Sequence, residues 1–332
     1  MRLGPPPRPL FGLLGLSFAL LVILAGGLQE RMAVFPAGRD RLYAQDAADG
    51  EPGESTTFQR LRRSAQMCSA DYGFSNFNQD FLTVHFELPG ATYDDYRARW
   101  GYRDADLAAL RAWHEQARQA AYKKAAAQKK TQAQFDADLD ALQKLYDKKM
   151  RDYLAGKSFR LLPGDLVEVD IPKVVRESAP LVKSVSEALD RVAEERRYNS
   201  ADIIGAAAAL VQTAVIYQVP PPLVDGAHTG GFWPPVTTLI GGWGDCDTKT
   251  ALLASILANW PQMRMVGVGL PEHYLLGVLR IPNKGDLFVE HEGLEYVLVE
   301  PAGPAWLAPG TVGEQTRNLL EASQGFNIEP FF

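Results

Sequence analysis

Sulfur and histidine are scarce in this 332-residue chain, which has two cysteines and five histidines. Two cysteines exclude a disulfide-knit scaffold and a four-cysteine zinc site, and five histidines leave little material for a metal cluster. Positive charge is not in excess. Lys and Arg number 34 against 40 Asp and Glu, for a net charge of −6. That balance argues against a nucleic-acid-binding face. The 46% hydrophobic and 22% charged shares are ordinary for a globular chain and argue against wholesale disorder or a multi-span membrane protein. Several chemistries lack their motifs. Glu290-His291-Glu292 has Glu295 where the second His of a zinc-protease helix would stand. There is no phosphate-binding G-x-x-x-x-G-K-[ST] loop, Gly267-x-Gly269 is not continued by a third glycine, and no G-x-S-x-G elbow occurs. No metal and no cofactor are expected.

What is present begins at the N-terminus. Leu10 to Leu28 is a 19-residue run without charge, long enough to cross a hydrocarbon core of about 30 Å. Arg2 and Arg8 precede it, and a mixed set (Glu30, Arg31, Arg39, Asp40, Arg41) follows. The flanks favour the N-terminus inside and the rest outside the cytoplasm. We read residues 1–28 as a single-pass anchor in the cell membrane, or else a cleaved signal, with the body extracytoplasmic (periplasmic in a two-membrane bacterium). Without Arg2 and Arg8 the exported part carries a net −8, which suits a soluble body over one lying flat on anionic lipid.

Residues 29–57, rich in Ala, Asp, Glu and Gly, read as a linker. Residues 58–199 read as an N-terminal α+β region and 200–332 as a second domain. Phe81–Leu88 alternates as a strand does. Asp104 to Ala155 holds 52 residues without Gly or Pro, with 14 Ala, 10 Lys and Arg, and 8 Asp and Glu. One stripe runs through Phe135, Leu139, Leu142, Tyr146, Met150 and Tyr153; a thinner one runs through Leu107, Leu110, Ala117 and Ala121. The spacing predicts a coiled-coil-like hairpin of two helices turning near 129–132. It is expected to bind a protein partner of the envelope or to guide substrate. Leu166–Ile171 reads as a strand stopped by Pro172, 180–197 as an amphipathic helix, and 201–217 as a buried helix capped by Asn199 or Ser200. Residues 225–244 read as a Gly- and Pro-rich loop. Cys246–Asn259 reads as a helix capped by Asp245, and strands follow over 263–269, 273–281, 287–290 and 295–300.

The segment Gly241-Gly-Trp-Gly-Asp-Cys-Asp-Thr-Lys-Thr-Ala-Leu-Leu253 carries the chemistry. It puts Cys246 in the first turn of a buried helix, where unpaired N–H groups and the helix dipole favour a thiolate and can hold an oxyanion. His273 and Glu300 follow at intervals of 27 residues. In that order His273 can deprotonate Cys246 while Glu300 orients the imidazole. Glu290, Glu292 and Glu295 are rival acids. A Cys68–Cys246 disulfide, which an oxidising compartment permits, would cancel this chemistry. Asp245 and Asp247 flank the thiol, and their charges oppose the thiolate unless they point away.

These residues resemble the transglutaminase-like superfamily of papain-type cysteine enzymes. The likeness is carried by Gly244-Asp245-Cys246-Asp247, Leu252-Leu253, His273, Glu300-Pro301 and, upstream, Val211-Gln212 and Tyr217, over roughly residues 200–305. It implies an α+β fold in which the Cys-bearing helix packs on an antiparallel sheet, with Cys246, His273 and Glu300 as catalytic residues. Glu300 departs from the family's usual Asp, which stands closer to the His. Gln212 is a candidate oxyanion donor or a packing residue, Trp243 a wall of the substrate groove or a core residue, and Asp245 a further candidate of the oxyanion site or groove. The expected activity is amide-bond cleavage of a protein or peptide through a thioester; the alternative is an inactive scaffold or binding protein of the envelope.

Overall fold

The computed structural model describes residues 56–322 and 325–331, with two short backbone segments, Arg2–Leu3 and Arg41–Tyr43. The expected anchor at Leu10–Leu28 and most of the 29–57 linker lie outside the described residues. Among the described residues no helix is long and apolar enough to cross a membrane.

The architecture is α+β. Strands β1 (Phe58–Arg63), β2 (Met67–Ser75) and β3 (Phe81–Pro89) form an antiparallel meander, with Arg41–Tyr43 along the outer side of β1. Alternate residues of β2 and β3 turn inward, as the two-residue period of a strand requires. Cys68, Ala70, Tyr72 and Phe74 face Leu82, Val84 and Phe86 in the core. Helix α1 (Gly90–Arg99) leads into α2 (Asp104–Gln128) and α3 (Gln132–Gly156), the expected hairpin. Lys129 ends α2 in the left-handed region, at φ 48°. Thr131 then starts α3 with a reciprocal cap to Gln134. His114 stacks on Tyr146 at 4.4 Å and Tyr122 meets Phe135 at 4.8 Å across the two helices. The root is held by its own small cluster of Leu107, Met150, Leu154 and Phe159.

A short hairpin, β4 (Phe159–Leu162) and β5 (Leu166–Val169), precedes α4 (Ile171–Ser178). Pro172 does not stop a strand; it stands in the first turn of α4, where its missing N–H costs nothing, and Asp170 caps that helix. Helix α5 (Lys183–Arg196) and α6 (Ser200–Ala209) follow, the latter capped by Asn199. The expected long helix ends early. Leu210–Ala214 forms one π turn, and Ile216–Tyr217 is extended. The Gly- and Pro-rich loop contains a further short helix, α7 (Pro235–Gly241).

Helix α8 (Cys246–Leu257) is buried from Thr248 to Leu257. Leu252, Leu253, Ile256 and Leu257 are each 0% exposed, and at about 1.5–3 kcal/mol apiece such side chains fix the helix in place. Against it lies the second sheet, of β6 (Met265–Leu270), β7 (His273–Leu279), β8 (Phe288–His291), β9 (Leu294–Val299) and β10 (Asn327–Pro330). Its order is β8-β9-β7-β6-β10, antiparallel, with Arg2–Leu3 parallel to β8 at the edge. Helix α9 (Glu314–Glu321) contributes Leu320 to the cluster on the other face, with Val266, Val268, Leu275 and Leu298. The main core runs without a break from Cys68 through Leu189 to Leu253 and Val299, so residues 58–199 and 200–332 share it.

Candidate active site

The site is built where α8 begins. Helix α7 ends at Gly242 with φ 74°, a left-handed conformation that glycine adopts without penalty. Trp243–Gly244 then pairs in parallel with Ile216–Tyr217, through Ile216 N–H to Gly242 O (2.9 Å) and Gln218 N–H to Gly244 O (3.1 Å). A Cβ on residue 244 would stand 2.3 Å from the Thr248 methyl, so only glycine lets the chain turn into α8 this tightly. Asp245 occupies the cap position in extended backbone, but its side chain makes no capping bond. Instead the Asp247 carboxyl accepts the Thr248 N–H at 2.7 Å. The expected cap, Asp245, thus holds the cap position without a capping bond, because its carboxyl hydrogen-bonds Asp247 instead.

Cys246 is the first residue of α8 and is half-buried. His273 opens β7, and the Cys246 thiol is one of its hydrogen-bond partners. The Thr250 hydroxyl lies 2.7 Å from the Cys246 carbonyl and 3.0 Å from the Tyr274 carbonyl, fastening nucleophile and base through one side chain. His273 Nε2 lies 3.1 Å from both oxygens of Glu300. Glu300 follows β9 and is 4% exposed. It also accepts the Ala302 N–H at 3.2 Å and the Thr316 hydroxyl at 2.7 Å. Burial depresses the imidazole, but hydrogen bonds with Cys246 and Glu300 outweigh it and raise His273 to about 9. The structure thus brings Cys246, His273 and Glu300 together. Of the rival acids, Glu290 and Glu295 oppose each other across β8 and β9, and Glu292 turns the hairpin between them.

Three other candidates are placed as follows. Gln212 is fully committed. Its Nε2 donates to Glu300 O (2.6 Å) and Leu307 O (2.9 Å), and its Oε1 accepts the Leu307 N–H (2.8 Å). Both amide hydrogens are used, so it is a clamp on the segment after β9 and has none to offer an oxyanion. Trp243 is half-buried and meets Trp233 edge-on at 5.9 Å. Asp245 is 9% exposed and leaves one oxygen without a hydrogen bond. Burial, a hydrogen bond with Asp245 and the charge of Asp245 push Asp247 up to about 8. The two carboxyls therefore hold one proton between them at neutral pH and present one negative charge where the sequence has two. That relieves much of the opposition to a Cys246 thiolate.

The two cysteines are unpaired, and Cys68 is 1% exposed on β2. Tyr217 stands beside the site; burial, then the negative charge of Cys246, Asp245, Asp247 and Glu300, raises its phenol. One residue has no counterpart in the sequence expectations. Lys249, one turn along α8 from Cys246, is 0% exposed, and its Nζ has no hydrogen-bond partner. Four charged side chains are buried among the described residues: Asp245, Lys249, Glu300 and Glu329. Glu329 is paired with Arg160 and accepts the Tyr274 hydroxyl at 2.7 Å, whereas the other three gather here. The signal was available: a lysine inside an otherwise apolar helix has no solvated face to occupy.

Comparison of the chain with protein-family models, with curated proteins and with solved structures finds no match.

Proposed function

We propose that this chain is an exported, membrane-anchored cysteine enzyme of transglutaminase-like type that cleaves amide bonds in a protein or peptide. The observation that carries the reading is His273 held between the Cys246 thiol and the buried Glu300 carboxylate. With the imidazole raised to about 9, His273 carries its proton at neutral pH and is the counter-charge for the thiolate that acts as nucleophile in this reaction. Glu300 accepts the Nε2–H and keeps the imidazolium turned toward sulfur.

The thiolate adds to the amide carbonyl, and the C–S bond forms. The oxyanion meets the positive end of α8 at the Cys246 N–H, the Thr248 N–H being held by Asp247 and the Lys249 N–H by the Asp245 carbonyl. His273 gives its proton to the departing nitrogen as the C–N bond breaks. His273, now neutral, takes a proton from water, hydroxide attacks the thioester, and the thiol is released beside a new carboxylate. Hydrolysis is favoured over crosslinking because it needs only water as acceptor. Trp243 and Tyr217 form the walls beside the thiol, and the α2–α3 hairpin captures an envelope protein or guides substrate.

The test is alkylation of Cys246 by iodoacetamide across pH, followed by peptide mass spectrometry. Cys68 is too buried to serve as the standard, so free cysteine is used. Cys246 should react faster than free cysteine at pH 6, and His273→Ala should remove the difference. Equal rates in both proteins would leave a non-catalytic scaffold of the envelope.

A further inference from the structure

We infer that Lys249 is a positioning residue of this site, its buried ammonium being the counter-charge that brings the Cys246–His273–Glu300 cluster to net zero. The inference rests on the reading of that cluster as a working triad. The argument begins with charge. Thiolate, imidazolium and carboxylate sum to −1. In the tetrahedral adduct, oxyanion, imidazolium and carboxylate again sum to −1. In the thioester, neutral imidazole and carboxylate still sum to −1. The triad alone carries one uncompensated negative charge at every stage, the Asp245–Asp247 pair adds another beside it, and a buried cation of fixed position is called for.

Lys249 is placed to be that cation. It sits three residues after Cys246 on α8, is 0% exposed, and has no hydrogen-bond partner of its own. Its Nζ lies 6.0 Å from the centre of the Tyr217 ring. Beside it stand the Tyr217 ring, from the strand at 216–217, and the charge of Glu300, from the segment after β9. Of these, Glu300 is the charge that acts on it: burial brings the amine down to about 7, and Glu300 opposes that fall. An unpartnered buried amine does nothing for the fold, since an apolar chain of equal length would pack there without the desolvation penalty. Structure that is kept against stability is the signature of a site.

The sharpest variant is Lys249→Met, which keeps length and volume and removes the charge. The proposal expects Cys246 to alkylate about tenfold more slowly at pH 7 and its rate inflection to rise by about one pH unit. The thermal midpoint should hold or rise. A folded Lys249→Met protein with an unchanged rate profile would overturn it. A second measurement needs no change at Lys249. In the wild-type chain, the 15N signal of its Nζ should titrate at lower pH once Cys246 is capped with iodoacetamide, and lower again in Glu300→Gln. A midpoint indifferent to both would also overturn the inference. If wild-type Cys246 is not activated at all, the enzyme reading fails, and the Glu300→Gln titration still decides whether Lys249 answers to Glu300.

Discussion

Replacing Gln212 by Met separates two roles for the same side chain. Met preserves length and nearly preserves volume, so no cavity is opened. It removes the donors to Glu300 O and Leu307 O and the acceptor for Leu307 N–H. The Glu300 carbonyl it served is buried, while the two Leu307 groups are partly reached by water. At about 1–3 kcal/mol for an unsatisfied buried group and less for the other two, the loss is roughly 2 kcal/mol. Equilibrium urea unfolding should show it as a lower midpoint with an unchanged slope. Cys246 alkylation adds a second readout, because it involves no carbonyl oxyanion. If Gln212 holds the segment that carries Glu300, the variant should also lose part of the His273-dependent acceleration of alkylation. An oxyanion donor would behave otherwise: stability and alkylation unchanged, amide turnover down by about 10²–10³. That second pattern would refute the clamp and return Gln212 to the reaction.

Three further outcomes are expected. The His273 imidazole is raised from 6.5 to about 9 in the fold, so its contribution is complete below pH 6.5 and is lost as pH rises through 9. His273→Gln should therefore lower stability by at most about 3 kcal/mol below pH 6.5 and converge on wild type above pH 9, read by urea midpoints across pH. Asp247 is raised from 3.8 to about 8, so its protonated form is the one the fold favours and its contribution drains away as pH rises from 3.8 through 8. Asp247→Asn should raise the thermal midpoint at pH 8 relative to wild type and lose that advantage at pH 4. Trimming the hairpin between Ala108 and Lys149 to a Gly-Ser turn spares Leu107, Met150 and Leu154 at its root; Cys246 reactivity should stay within about twofold, while the capture of an envelope protein proposed for the hairpin should be lost in a pull-down.

The site was legible because its chemistry follows chain order. A glycine-rich turn, an apolar helix and two apolar strands mark where Cys246, His273 and Glu300 stand, each at the start or just past the end of an element. The hairpin was legible too, since 52 residues without Gly or Pro permit little else. Other elements were hidden for physical reasons. Strand β2 turns Cys68, Ala70, Tyr72 and Phe74 inward and alternates them with Ser69, Asp71 and Gly73, but small Cys and Ala on the apolar side and Gly on the other keep the β signal weak. Helices α4 and α7 carry proline in the first turn, where it starts a helix, while its presence between apolar residues suggests a break. The π turn at Leu210–Ala214 continues an apolar helix pattern while changing its pitch, and that change aims Gln212 at Leu307. Its amide partners are backbone groups 88 and 95 residues away, and only the assembled fold brings them to it.

The bond from the Thr316 hydroxyl to Glu300 sets an order in time. The chain is made from its N-terminus, so Cys246, His273 and Glu300 all exist before the residue that braces the acid. At about 5–20 residues per second, the 16 residues from Glu300 to Thr316 take on the order of a second. Strand β10 must still dock on β6 and bury Phe331 after that. A nascent chain caught between those moments carries the thiol and the imidazole with a loosely held carboxylate. In the proposed reaction, the sulfur therefore meets a fully braced triad only as the last strand closes the sheet.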